Sequence, residues 1–222
     1  MTVNRTTSYA TTTPALALPG QAAAPAREVP SAPVVRDLRD RGGHSPHALL
    51  FGPRDLVVIT GLPGSGKSTL MRRAVPGIRI DSQDTRDRFD AATPRLLPYA
   101  VYRPLVRLAH YAGLRRALRT GEGVVVHDCG TQAWVRGWLA RAARRRGGML
   151  HLLLLDVTPE QALAGQRERG RGVSRYAFRR HRHAASRLLR RAERGALPRG
   201  CGSAVLLDRD AADTLRRIGF TG

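Results

Sequence analysis

Gly61-Leu62-Pro63-Gly64-Ser65-Gly66-Lys67-Ser68 is the stretch on which the reading of this chain turns. It fits the pattern Gly-x-x-x-x-Gly-Lys-[Ser/Thr], in which backbone amides, a lysine and a hydroxyl converge on phosphate. The glycines permit a sharp turn and leave amides free to face anionic oxygens. Lys67 is the only lysine of the chain; every other member of its 38 Lys+Arg residues is arginine. A planar guanidinium is too wide for a tight backbone loop, whereas a slim stem ending in a compact ammonium fits.

Asp55-Leu56-Val57-Val58-Ile59-Thr60, just before the loop, is a short β-branched apolar run, the pattern of a strand buried in a parallel sheet. Just after it, Ser68-Thr69-Leu70-Met71-Arg72-Arg73 reads as the first turns of a helix, whose N-terminal amides and dipole favour an anion. Strand, loop and helix in this order wrap residues 61–69 around the phosphates of a nucleotide. Lys67 is expected to reach the β- and γ-phosphates, and Ser68 to ligate Mg²⁺.

Further along, Gly77-Ile78-Arg79-Ile80 reads as a second strand ending at Asp81, with a helix from Asp84 to about Asp90. Pro94 and Pro98 interrupt the chain. A longer helix follows, from Tyr99 or Pro104 to Arg119, with Leu105, Leu108, Ala112 and Leu118 expected partly inward. Val124-Val125-Val126-His127-Asp128 is a third strand. Thr131 to Arg146 is helical, with Val135, Trp138, Leu139 and Ala142 on one face. Met149 to Asp156 is a fourth strand, and Thr158-Pro159 opens the next helix as N-cap and first helical residue. A very basic helix runs from Ser174 to about Arg194, and Ser203 to Asp208 is a fifth strand before a short terminal helix.

This alternation predicts an α/β fold of three layers, a five-stranded, mostly parallel sheet flanked by helices, as in P-loop NTPases. Ligands in such sheets gather beyond the carboxyl ends of the strands. Asp81, Asp128 and Asp156 all fall there.

Composition divides the 222 residues in two. Residues 1–52, rich in Ala, Pro and Thr, read as a disordered tail, and 53–222 as one folded domain. Ala15-Leu16-Ala17-Leu18 is too short and too proline-flanked for a signal-peptide core or a membrane span. Two cysteines, Cys129 and Cys201, make neither a disulfide framework nor a zinc site, which fits a reduced, cytoplasmic setting. The net charge of +21 draws polyanions such as nucleotides, phosphorylated metabolites or nucleic acid. Solvated helix faces in an arginine-rich chain explain the same number, so charge alone does not name a partner. His181-Arg182-His183 lacks the acidic or cysteine companions a metal site needs.

The order of these motifs resembles the small P-loop kinases: polynucleotide 5′-kinases, zeta-toxin-like kinases and antibiotic phosphotransferases such as the chloramphenicol enzyme. The likeness runs from about Asp55 to Asp208 and includes the loop, Ile80-Asp81-Ser82-Gln83-Asp84, the strand end His127-Asp128, and an arginine-rich lid at Gln166 to Gly172. It implies ATP and Mg²⁺ as cofactors. Asp81 would be the general base that takes the proton of a substrate hydroxyl, with Asp84 as second choice; capping of the following helix is the structural alternative for both. Polynucleotide kinases often carry a double aspartate where this chain reads Gln83-Asp84. Asp128 would hold Mg²⁺. Arg167 and Arg171, with Arg169 close behind, would close on the phosphoryl oxygens, unless the turn is simply solvated. Residues 94–111, with Tyr99, Tyr102, Arg103 and Arg107, would lie on the acceptor side.

Two functions follow. One is a Mg·ATP-dependent kinase that transfers the γ-phosphate to a hydroxyl of a small molecule or of a 5′-hydroxyl nucleic acid. The other is a nucleotide-dependent switch or ATPase with a basic surface for nucleic acid or a protein partner. A base beside the γ-phosphate and a lid of arginines favour the first, because a kinase must present a nucleophile and exclude water.

Overall fold

The computed structural model describes residues 33–42, 44–92, 99–127, 132–170 and 172–221. The strands are β1 (Val34–Asp37), β2 (Ala48–Phe51), β3 (Leu56–Gly61), β4 (Arg79–Ile80), β5 (Val124–His127), β6 (Leu150–Leu155), β7 (Cys201–Leu207) and β8 (Arg217–Phe220). The helices are α1 (Lys67–Ala74), α2 (Ser82–Ala92), α3 (Tyr99–Arg119), α4 (Ala133–Arg145), α5 (Pro159–Arg167), α6 (Arg175–Glu193) and α7 (Arg209–Thr214).

Six strands form one parallel sheet in the order β1-β7-β6-β3-β5-β4, which puts β3 and the phosphate loop between β6 and β5. Successive residues of the central strands point to opposite faces. Leu56, Val58, Val124, Val126, Leu152 and Leu206 meet Leu114, Val135, Leu139 and Leu188 on one side. Val57, Ile59, Val125, Leu153 and Leu207 meet Leu70, Met71, Ala211 and Leu215 on the other. Two apolar interfaces with one sheet between them give the three layers, and β3, β5 and β6 are buried almost throughout because helices cover both sides.

All five expected strands are present. Three more were not read from the sequence. Two of these lie in the stretch read as tail: β1 pairs in parallel with β7, and β2 with β8. The boundary drawn at residue 52 therefore falls inside folded chain. Val34 and Leu50 remain exposed, so neither strand shows the buried pattern that flags a strand in sequence. Residues 1–32 of the expected tail, Ala15–Leu18 included, lie outside the described residues.

A second correction concerns α3. Leu105 and Leu108 are 56% and 68% exposed, and the inward line is Tyr102, Val106, Leu114 and Ala117. Apolar residues wrap most of this helix, so its sequence selects no single face; contact with α2, β4 and β5 does. The helix after β6 is capped as expected. Thr158 accepts from the Gln161 amide at 3.2 Å, and the Gln161 side chain accepts from the Thr158 amide at 3.0 Å, closing a capping box.

The amino end of the sheet is pinned by a buried polar cluster. Asp55 accepts from the Gly52 and Met149 amides, each at 2.7 Å, and lies 2.9 Å from His151 Nε2. An ionised carboxylate only accepts, so Nε2 carries a proton, and His151 Nδ1 is hydrogen-bonded to the Ser203 hydroxyl at 2.8 Å. Burial pushes the Asp55 carboxyl up, but the His151 bond and the two amides outweigh it and hold the group below its ordinary range.

Candidate active site

Gly64 and Gly66 adopt φ of +94° and +90°, the left-handed region that glycine enters at little cost. The loop they shape encloses Lys67, which is 5% exposed. Its ammonium donates to the carbonyls of Gly61 at 3.1 Å and Leu62 at 2.6 Å, and to Ser65 Oγ at 3.3 Å. The one lysine is thus folded into the loop. Ser68 is buried on the first turn of α1, while Thr69 beside it is exposed.

Asp81 follows β4, next to β5, and is 3% exposed. Its Oδ1 accepts from the Gln83 amide at 2.9 Å and lies 2.6 Å from His127 Nδ1. Capping of α2, one of the two sequence readings, is therefore present, and it uses one carboxylate oxygen. Oδ2 is buried and has no hydrogen-bond partner among the described residues. Burial pushes this carboxyl up, yet the hydrogen bond and charge of His127, the nearby Ser68 hydroxyl and the Gln83 amide hold it well below the usual carboxylate range. The Ser68 hydroxyl is near enough to favour the anion without closing a hydrogen bond on Oδ2. Asp84 lies in the first turn of α2, where its charge suits the helix dipole.

A cleft of about 870 Å³ opens beside the loop. Gly64, Lys67 and Ser68 form one wall. Ser82, Arg86 and Asp90 of α2, with Arg107, His110 and Tyr111 of α3, form the second, and Arg169, Val173 and Arg180 the third. His127 lines the cleft, and Asp81, to which it is bonded, does not. Tyr102, expected on the acceptor side, is buried and bonded to Asp90, joining α3 to α2. The side chains of Tyr99 and Arg103 lie outside the description. Burial, with the proximity of His127, lowers the pKa of His110 against the pull of Asp81.

A model of the AAA-domain family matches residues 56–194, from the first residue of β3 to the end of α6. The chain belongs to that AAA-domain family. No curated protein matches it. Similar solved structures include one from the PezAT chromosomal toxin–antitoxin system of Streptococcus pneumoniae, at 15% identity over 79% of this chain and 80% of the other, TM-score 0.46. A gluconokinase from Sinorhizobium meliloti 1021 matches at 18% identity over 73% and 92%, TM-score 0.41. A tunicamycin resistance protein of Deinococcus radiodurans matches at 16% over 59% and 79%, TM-score 0.37.

In this AAA-domain protein the arginines read as a lid lie at the end of α5 and after it. Arg167 ends α5, is exposed and does not line the cleft. Arg169 does line it, with its Nε held by the Gly165 carbonyl at 2.9 Å. Arg171 and Asp128 lie outside the described residues. Two groups were missed as site residues in the sequence. His127 was open to either face of its strand, and its pairing with Asp81 joins residues 46 positions apart. Gln166 was read only as the start of the lid, yet it bonds the phosphate loop itself. No local spacing signals either contact.

Among the described residues no helix is long and apolar enough to cross a membrane.

Proposed function

We propose that this chain is an ATP-dependent kinase that moves the γ-phosphoryl group to a hydroxyl of an acceptor held between α2 and α3. The observation that carries the reading is the Asp81 carboxylate, ionised and buried near Ser68, fixed by the Gln83 amide and by His127, which itself lines the cleft.

The loop amides and Lys67 bind the β- and γ-phosphates, and Lys67 exchanges its loop carbonyls for phosphate oxygens. Asp81 orients the acceptor hydroxyl. A carboxylate with so low a pKa is a weak base, so the proton moves late, after the hydroxyl has begun to bond phosphorus and become acidic. Arg169 meets charge on the transferred group, the role the sequence offered first to Arg167 and Arg171 and next to Arg169. The Ser68 hydroxyl and the unpartnered Asp81 oxygen are hard oxygen donors of the kind that suit Mg²⁺. Ser68, with Asp128, would hold the ion, which when bound neutralises charge on the phosphates. A cleft wall of side chains from α2 and α3 favours transfer over a switch, because a switch needs no room for an acceptor. The acceptor is a small molecule or a 5′-hydroxyl nucleic acid, and the ATP supply places the reaction in the cytoplasm.

The test is label transfer from [γ-³²P]ATP with Mg²⁺, offering 5′-hydroxyl DNA and RNA in one arm and a deproteinised metabolite extract in the other. Transfer in either arm, lost in Asp81→Asn while ATP still binds, is the expected result. Undiminished transfer by Asp81→Asn removes Asp81 as base; ATP hydrolysis with no transfer to any acceptor supports the switch.

A further inference from the structure

Helix α5 lies against the phosphate loop with no side chain between them. A Cβ on Gly64 would fall 1.9 Å from the Ala162 carbonyl oxygen, and one on Gly165 would fall 2.5 Å from the Gly64 carbonyl oxygen. At the end of this seam sits Gln166, 7% exposed. Its Nε2 donates to the Pro63 carbonyl at 3.0 Å, and its Oε1 accepts from the Val173 amide at 3.0 Å. A carbonyl only accepts and an amide N–H only donates, so the orientation of the side-chain amide is forced. Both of its ends are used. Helix α5 ends at Arg167, Gly170 sits at φ +60°, and Ser174, next to Val173, caps α6. Arg169 sits in the turn after α5 and lines the cleft. A single buried side chain therefore ties the phosphate loop to Val173, beyond Arg169 in the chain, and its own backbone lies before Arg169.

We propose that Gln166 is a positioning residue that keeps Arg169 in register with the phosphates held by the loop. The proposal rests on the cleft being a phosphoryl-transfer site. Two hydrogen bonds at fixed distances make the turn and the loop one unit, so the guanidinium is already near its station when nucleotide binds. Without them the turn must be ordered at each turnover, and water reaches the γ-phosphate while it is out of place. Neither neighbouring arginine can substitute for the tether, because each would have to bond a carbonyl and an amide together, and a guanidinium accepts nothing.

The experiment compares wild type with Gln166→Leu, which keeps the buried volume and loses both bonds, and with Gln166→Glu, which keeps the acceptor toward Val173 and sets a carboxylate oxygen against the Pro63 carbonyl. Amide hydrogen exchange is followed by mass spectrometry with and without a non-hydrolysable ATP analogue. Exchange in the peptide over residues 167–176 should quicken on the order of tenfold in Gln166→Leu, while the strands stay protected. In transfer assays kcat should fall on the order of tenfold or more with the KM for ATP little changed, and the ratio of hydrolysis to transfer should rise. Gln166→Glu should retain protection at Val173 and still lose transfer. Unchanged exchange and an unchanged hydrolysis-to-transfer ratio in Gln166→Leu overturn the proposal, as does exchange that quickens throughout the domain, which marks a merely structural role. The local exchange effect in a wild type that transfers phosphate to no acceptor would leave the tether standing and remove the kinase reading.

Discussion

Alanine at Gly64 would place a methyl carbon 1.9 Å from the Ala162 carbonyl oxygen, where ordinary contact needs more than 3 Å. Something must move by more than 1 Å. The choices are the loop, which holds Lys67, or α5, which carries Gln166. The residue also sits at φ +94°, which costs a non-glycine about 1–2 kcal/mol. Overpacking of a closed contact adds about 1–3 kcal/mol. The sum, about 2–5 kcal/mol, is a drop in Tm of about 4–20 °C for a chain of this size. Gly121→Ala is the control, because its φ is +79° and nothing lies within 4 Å of an added Cβ. It should lose only the strain, about 1–2 kcal/mol. Thermal unfolding by circular dichroism, with ADP affinity by calorimetry, reads both effects. Gly64→Ala should bind ADP at least tenfold more weakly, and Gly121→Ala as wild type. Equal Tm and equal affinity in the two variants would refute the reasoning, since the α5 seam would then bear on neither the loop nor the fold.

Three further outcomes follow from the geometry. His127→Leu removes the main attraction that holds the Asp81 carboxyl low and leaves only the Ser68 hydroxyl and the Gln83 amide against burial, so its pKa rises; the acidic limb of kcat/KM against pH should move to higher pH, and an unmoved limb would separate His127 from the reaction. Arg169→Ala should lower kcat about 10²–10³-fold, in line with removal of one preorganised donor, whereas Arg167→Ala, exposed and off the cleft, should stay within about threefold; steady-state kinetics decide between them. Asp55→Ala strands His151 and two amides and should cost about 3–5 kcal/mol in a urea melt at pH 7. Because the folded Asp55 carboxyl is depressed, its contribution is present above the ordinary carboxylate pKa and is lost as pH falls through the folded value; the wild-type advantage over Asp55→Ala should therefore shrink only below about pH 4.

The site was legible to the extent that it is local. Residues 61–68 name their own ligand because the turn, the amides and the lysine that bind phosphate are contiguous. Asp81 was legible as a carboxylate at a strand end. Its partner was not: His127 lies on another strand, and which of its two faces meets the cleft depends on how β4 and β5 pair. The stretch after α5 was legible as arginine-rich, but not that Arg169 lines the cleft while Arg167 does not. Arg167 is the last residue of α5 and points where the helix carries it; Arg169 is past the helix end and is held by the Gly165 carbonyl.

By itself the sequence determined the phosphate loop, the five core strands, the helices between them and the capping box at Thr158. Each of these depends on residues within a few positions of one another, through turn geometry, alternation of apolar residues and caps. The tertiary structure alone decided that Val34–Asp37 pairs with β7, that α3 turns Val106 and Leu114 inward in place of Leu105 and Leu108, that His127 covers Asp81, and that Gln166 joins the phosphate loop to Val173. Those contacts join residues far apart in the chain, and only the packing of elements against one another brings their side chains within reach.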